Sequence, residues 1–174
     1  MRIIGIDPGK KGGVAVIDTV TGKASVYDIP IKKTTSGAKG HDDFLRKSML
    51  RLLRKAAGKI WTDNVIVVIE EQHLFGREGR KSAFTLGVGW GQLLMAVDAC
   101  ELPYLAVNIA EWKHAMGLNS DKEYSRLRAI EWFPELANQL QLKKHHGRAE
   151  ALLLACYYRD FILPGILKQN KGVA

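Results

Sequence analysis

Three short apolar runs open the chain: RIIGID, VAVID and ASVYDIP. Glycine-containing turns, PGKKGG and TVTGK, separate them, which predicts three strands joined as an antiparallel meander ended by Pro30. Residues 31–40, IKKTTSGAKG, are polar, basic and rich in small side chains, and read as a loop. From His41 the period becomes helical. Phe44, Leu45, Met49, Leu52, Leu53 and Ala56 share one face, while Arg46, Lys47, Arg51, Arg54 and Lys55 fill the other. The run VIVVIE, residues 65–70, is apolar until its last position, the pattern of a strand covered on both faces.

A long helix over 82–100 follows, with Ser82 as its expected N-cap and Ala83, Leu86, Trp90, Leu93, Leu94 and Val97 apolar. It contains Gly87, Gly89 and Gly91. Each costs up to about 1 kcal/mol relative to alanine inside a helix, which predicts close backbone approach to a neighbour. PYLAVN then reads as a strand, and 111–116 and 121–132 as helices, with Pro134 a break. A last helix runs over roughly 147–161 and is expected to stop at Pro164. With no internal repeat or linker, the pattern predicts one α/β domain over 1–174, its core ending near 163 before a short tail.

Composition adds a partner. Hydrophobic residues make up 47% of 174 positions, enough for a sizeable core. The 26 Lys and Arg exceed the 18 Asp and Glu, a net charge of +8 that favours nucleic acid or an anionic membrane surface. Cys100 and Cys156 lie in apolar helical stretches without metal-type spacing and read as reduced core thiols. The N-terminus has an acid at position 7 and no long apolar run, and no segment approaches the length of a membrane span. These features predict a soluble, cytoplasmic protein with no membrane partner.

The acids supply the chemistry. Asp7 and Glu70 each end an apolar strand, and Glu150 stands alone in the apolar run AEALLLAC. Ionised carboxylates in a poorly hydrated setting need partners. Three of them converging would repel one another and bind protons more tightly. A divalent cation resolves this, and Mg²⁺ prefers oxygen ligands with positions left for substrate phosphate. Two such ions support phosphodiester hydrolysis, which makes a basic protein with this cluster a nuclease candidate.

The order of segments is informative too. GIDPGKKGGVAVID, VIEEQ, SAFTLGVGWGQ, NIAEWKHAMGLNSDKE and HGRAEALLLA, in that order, resemble the RuvC-type Holliday junction resolvases. The resemblance extends to about residue 160. It implies an RNase H-like fold: a mixed five-stranded sheet, its first three strands antiparallel, flanked by helices. It also implies metal-dependent cleavage of four-way DNA junctions by paired symmetric nicks, with Mg²⁺ or Mn²⁺ at two ions per active site. The helix over 82–100 would pack against its counterpart in a homodimer, since a two-fold junction needs two active sites.

By this resemblance Asp7 and Glu70 are the first two metal-binding acids and Glu150 is a later one. Strand alternation puts Glu71 on the opposite face from Glu70. Lys113 and Lys122 match two lysines that position the scissile phosphate. In the loop QHLFGREGR, Phe75 would wedge against unpaired bases, with Arg77, Arg80 and Lys81 on phosphates. The family commonly carries a further Asp three or four residues before the last acid, where this chain has His145, His146 and Gly147. His146 and Glu150 share a helix face, and His145 points about 100° away. His146 is therefore placed in the catalytic and metal set, as metal ligand, general base or phosphate contact. His145 joins Lys143, Lys144 and Arg148 in a basic rim for phosphates. The histidine and the compact length resemble divergent, phage-type members. Two alternatives share these features: another RNase H-like nuclease acting on branched DNA or RNA–DNA hybrids, and a non-catalytic junction-binding protein.

Overall fold

A computed structural model describes residues 1–34, 41–58, 64–73 and 79–171. Its centre is a five-stranded sheet built from β1 (Arg2–Asp7), β2 (Gly13–Asp18), β3 (Ala24–Asp28), β6 (Val65–Glu70) and β7 (Tyr104–Val107), in spatial order β3-β2-β1-β6-β7. The first three strands pair antiparallel, and β6 and β7 run parallel to β1 and to each other. This is the mixed sheet expected from the sequence. Its central strands are apolar throughout because both faces are covered.

Period-two alternation assigns the faces. On β1, Ile4 and Ile6 point to a core shared with α1 (Arg46–Ala57) and α2 (Arg80–Asp98), through Met49, Leu53, Leu93 and Val97. Ile3 points to the opposite core, built on α3 (Ile109–Ala115), α4 (Lys122–Trp132) and α6 (His146–Tyr157). On β6, Val67 and Ile69 face α1 and α2, and Val68 faces α6. Asp7 follows the parity of Ile3 and Glu70 that of Val68, so both acids are directed to the α6 face.

Glycine lets α6 lie directly on the sheet. A Cβ at Gly5 would collide with the carbonyl of Ala151, and one at Gly147 would collide with Lys11 and Gly12. Gly12 and Gly147 form an isolated parallel bridge between the β1–β2 turn and the start of α6. Backbone contact therefore leaves no room for a side chain at Gly147, three residues before Glu150. Both cysteines are buried free thiols, and burial pushes Cys156 up to about 12.

Four expectations need correction. Ile31–Thr34 is strand β4, paired antiparallel with β5 (His41–Phe44), so part of the expected loop and the start of the expected first helix form a hairpin. Polar positions on a two-stranded ribbon carry no burial signal, so the sequence pattern there resembles a loop. Helix α2 begins at Arg80 after Gly79, and Ser82 lies inside it rather than capping it. Close approach within the chain explains only Gly89, where a Cβ would stand 2.7 Å from the Phe44 ring; Gly87 and Gly91 face open space. Pro164 does not end the last helix. A π-helical turn, Tyr158–Ile162, follows α6, and Pro164 sits at the second residue of α7 (Leu163–Lys171). The helix continues through the π turn, where the Leu163 N–H donates to the Tyr158 carbonyl, and such a local irregularity accommodates a proline inside a continuing helix.

Candidate active site

Asp7, Glu70, Glu150 and Lys113 arrive from four elements. Asp7 ends β1 opposite Gly13, and Glu70 ends β6 in register with Val107 of β7. Glu150 lies one turn into α6, only 5% exposed. Lys113 is 9% exposed on α3, whose start is fixed by the Asn108 side chain accepting the Ala110 N–H at 2.9 Å. Its Nζ donates to Oε1 of Glu150 at 2.5 Å. The Trp112 indole N–H donates to Oε2 of Glu70 at 3.1 Å.

The acids perturb one another. Burial holds the Asp7 carboxyl well above its ordinary range, and the charges of Glu150 and Glu70 push it further; Lys122 and Lys113 pull the other way. Glu70 is also raised, by burial first, with the Trp112 hydrogen bond opposing and Glu150 adding to the rise. Lys122, the exposed first residue of α4, thus belongs to the same electrostatic cluster as Lys113. Three carboxylates face two ammonium groups, and the cluster keeps a deficit of positive charge.

That deficit suits a hard cation. The donors are carboxylate oxygens in a poorly hydrated place, the chemistry that Mg²⁺ and Mn²⁺ take. As the side chains stand, Lys113 occupies Glu150. Among the described residues, no three His, Cys, Asp or Glu side chains are grouped closely enough to share one ion.

The two histidines sit in different settings. His145, placed on the rim by the sequence, is 8% exposed in the short 3₁₀ turn Lys143–His145, its Nδ1 accepting the Leu142 N–H at 3.4 Å. Burial, then the Arg148 charge, holds its pKa down. His146 is half-buried at the first position of α6, with Nδ1 3.1 Å from the Lys143 carbonyl. A carbonyl only accepts, so Nδ1 carries the proton, and a neutral ring presents a lone pair at Nε2.

Arg148 also departs from the predicted rim. Its Nε and Nη2 donate to both oxygens of Asp28 at 2.6 Å, and Nη1 donates to the Gln139 carbonyl at 2.9 Å. The guanidinium is committed to holding α6 against β3. Lys143 and Lys144 are exposed, as are Arg80 and Lys81 in the first turn of α2. Phe75 and Arg77 lie outside the described residues. A groove of about 540 Å³ runs between Gly9 and Lys10 after β1, Gln72 after β6, and Lys81 and Trp90 of α2.

Sequence reasoning missed Trp112 as a site residue. Its only signal was adjacency to Lys113, and an aromatic in an apolar pattern reads as core. The Asp28–Arg148 pair gave no local signal, because its members are 120 positions apart.

No family model matches this chain, and no curated protein does. Solved structures do match. One, of T. thermophilus RuvC in complex with Holliday junction substrate, is 19% identical, with a TM-score of 0.51 over 91% of this chain and 94% of that one. Another, of Thermus thermophilus RuvC, is 18% identical with the same TM-score, covering 91% of this chain and 95% of that one. The chain has a RuvC-like, RNase H-like α/β fold.

Proposed function

We propose that this protein is a metal-dependent endonuclease that resolves four-way DNA junctions. The observation that carries the reading is the convergence of Asp7, Glu70 and Glu150 with Lys113 and Lys122 at one end of a RuvC-like sheet. Asp7, Glu70, Glu150 and His146 would hold two Mg²⁺ or Mn²⁺ ions. When bound, such ions supply activation of the attacking water and neutralise charge on the phosphodiester.

The chain's own groups do the rest. His146, with its lone pair at Nε2, accepts a proton from the attacking water or completes the ligand set. Lys113 and Lys122 place positive charge where the phosphorane-like state accumulates negative charge. Exposed Arg80, Lys81, Lys143 and Lys144 engage backbone phosphates and set register without reading sequence. Water attack on phosphorus leaves nicks that a ligase can close.

Two active sites are needed for paired nicks, and α2 offers a surface for a second copy. Phe84, Val88 and Met95 are exposed along it at helical spacing, and Gly87 and Gly91 open the same helix to close approach. No helix among the described residues is long and apolar enough to cross a membrane.

Cleavage of a synthetic four-way junction in Mg²⁺ and in Mn²⁺, by wild type and Asp7→Asn, tests the reading. Symmetric nicks by a dimer, absent in the variant, are the expected result. A monomer that prefers RNA–DNA hybrids, or junction binding without cleavage in either metal, would overturn it in favour of a hybrid nuclease or a binding protein.

A further inference from the structure

We infer that Trp112 is a positioning residue for the carboxylate cluster, holding Glu70 in one orientation through its indole N–H. This rests on the nuclease reading and specifies what organises that site. Trp112 is fully buried in the core beneath α6. A buried indole N–H needs an acceptor, and any backbone carbonyl would serve. Here the acceptor is a carboxylate oxygen 42 positions away, at the end of β6.

The neighbouring residue makes the arrangement more than a satisfied donor. Consecutive helical side chains diverge by about 100°, so Trp112 and Lys113 reach in different directions from one turn of α3. Trp112 grips Glu70 of β6, and Lys113 grips Glu150 of α6. One dipeptide therefore ties together two acids supplied by separate elements.

The dipeptide's own position is set by the sheet. Glu70 pairs with Val107, the Glu71 N–H donates to the Val107 carbonyl at 2.9 Å, and Asn108 then caps α3. The register between β6 and β7 thus places the donor relative to its acceptor. With Oε2 committed to Trp112, Glu70 keeps Oε1 for a cation. Partners of this kind, hydrogen-bonded to a metal-binding carboxylate, typically set metal affinity by about ten- to a hundredfold.

The test measures Mn²⁺ binding without DNA, by calorimetry or electron paramagnetic resonance, for wild type, Asp7→Asn, Trp112→Phe and Leu140→Ala. Trp112→Phe keeps an aromatic ring but removes the donor. Leu140→Ala loosens the same core without touching an acid. The expected result is Mn²⁺ affinity at least about tenfold weaker in Trp112→Phe and unchanged in Leu140→Ala, with melting temperatures in chelator confirming that both fold. Equal affinity in Trp112→Phe and wild type overturns the inference, as does an equal loss in Leu140→Ala. Absence of Asp7-dependent Mn²⁺ binding in wild type overturns the nuclease reading itself, and this inference with it. Should Trp112→Phe fail to fold, the wild-type protein decides. Its Trp112 indole resonance must shift as Mg²⁺ is added, and an unmoved resonance during Asp7-dependent binding rejects the role.

Discussion

Two close ion pairs meet on α6, and they differ in kind. Arg148 and Asp28 form a balanced, two-toothed pair, one cation on one acid, with a third bond from the guanidinium to Gln139. Lys113 and Glu150 also touch, but beside two more acids whose pKa values are pushed up. The first pair is complete and fastens the helix to β3. The second belongs to a cluster that folding leaves short of positive charge, an arrangement that favours function over stability. Proximity of opposite charges therefore does not identify a site; the local imbalance does.

Neutralising each acid should separate the two pairs most strongly. Asp7→Asn is expected to lower junction cleavage by about a thousandfold or more. In metal-free buffer it should also melt higher than wild type, because it removes a buried charge that Glu150 and Glu70 repel. Asp28→Asn should do the reverse, melting lower while cleaving normally. A metal-free Asp7→Asn protein that melts well below wild type would contradict the imbalance.

The histidines give the next largest contrast. His146→Ala should lose about a hundredfold in cleavage with little change in melting temperature, as expected for loss of a proton acceptor or ligand. His145→Ala should mainly reduce stability, since its ring is buried beside Asp28 and Arg148. Cleavage rates and thermal melts on both variants check this, and unchanged cleavage by His146→Ala would leave it only a rim residue.

Smaller effects divide the basic residues. Arg148→Met should cost about 1 kcal/mol, since the Asp28 end of the pair is largely solvent-exposed. It should leave the salt dependence of junction binding intact. Lys143→Ala with Lys144→Ala should leave stability unchanged and reduce the salt slope by about two, one per phosphate contact. Binding titrations across salt concentrations distinguish these outcomes.

The smallest expected effect is on pH. Arg148 holds the Asp28 carboxyl below its ordinary value of 3.8. The folded pKa lies below the unfolded one, so the pair's contribution is complete above the ordinary value. It is lost as pH falls through that value toward the folded pKa. Melting temperatures measured through this acid range should fall less steeply for Asp28→Asn than for wild type.

Much of the fold is legible in the sequence, as is the meeting of Asp7, Glu70 and Glu150 in one electrostatic neighbourhood. The apolar runs of β1, β2 and β6 follow from burial on two faces, and strand parity alone separates Glu70 from Glu71. Glu71 indeed sits partly exposed, paired with His73 at 2.9 Å. The β4–β5 hairpin was not legible, because IKKT and HDDF are mostly polar and show no apolar alternation. The role of Gly147 was not either. Nothing in a glycine at a helix start announces that the β1–β2 turn of the same chain lies against it.

What the sequence determined by itself is local: which segments are strands, where acids end them, and which face each acid takes. Backbone geometry enforces those from one residue to the next. The tertiary structure decided which cation serves which acid. It gave Arg148 to Asp28, Lys113 to Glu150 and Trp112 to Glu70, and it turned His145 rather than His146 into the core. Those pairings span tens to more than a hundred residues. They depend on how closely α6 and α3 settle against the sheet, which is a property of packing and not of any local pattern.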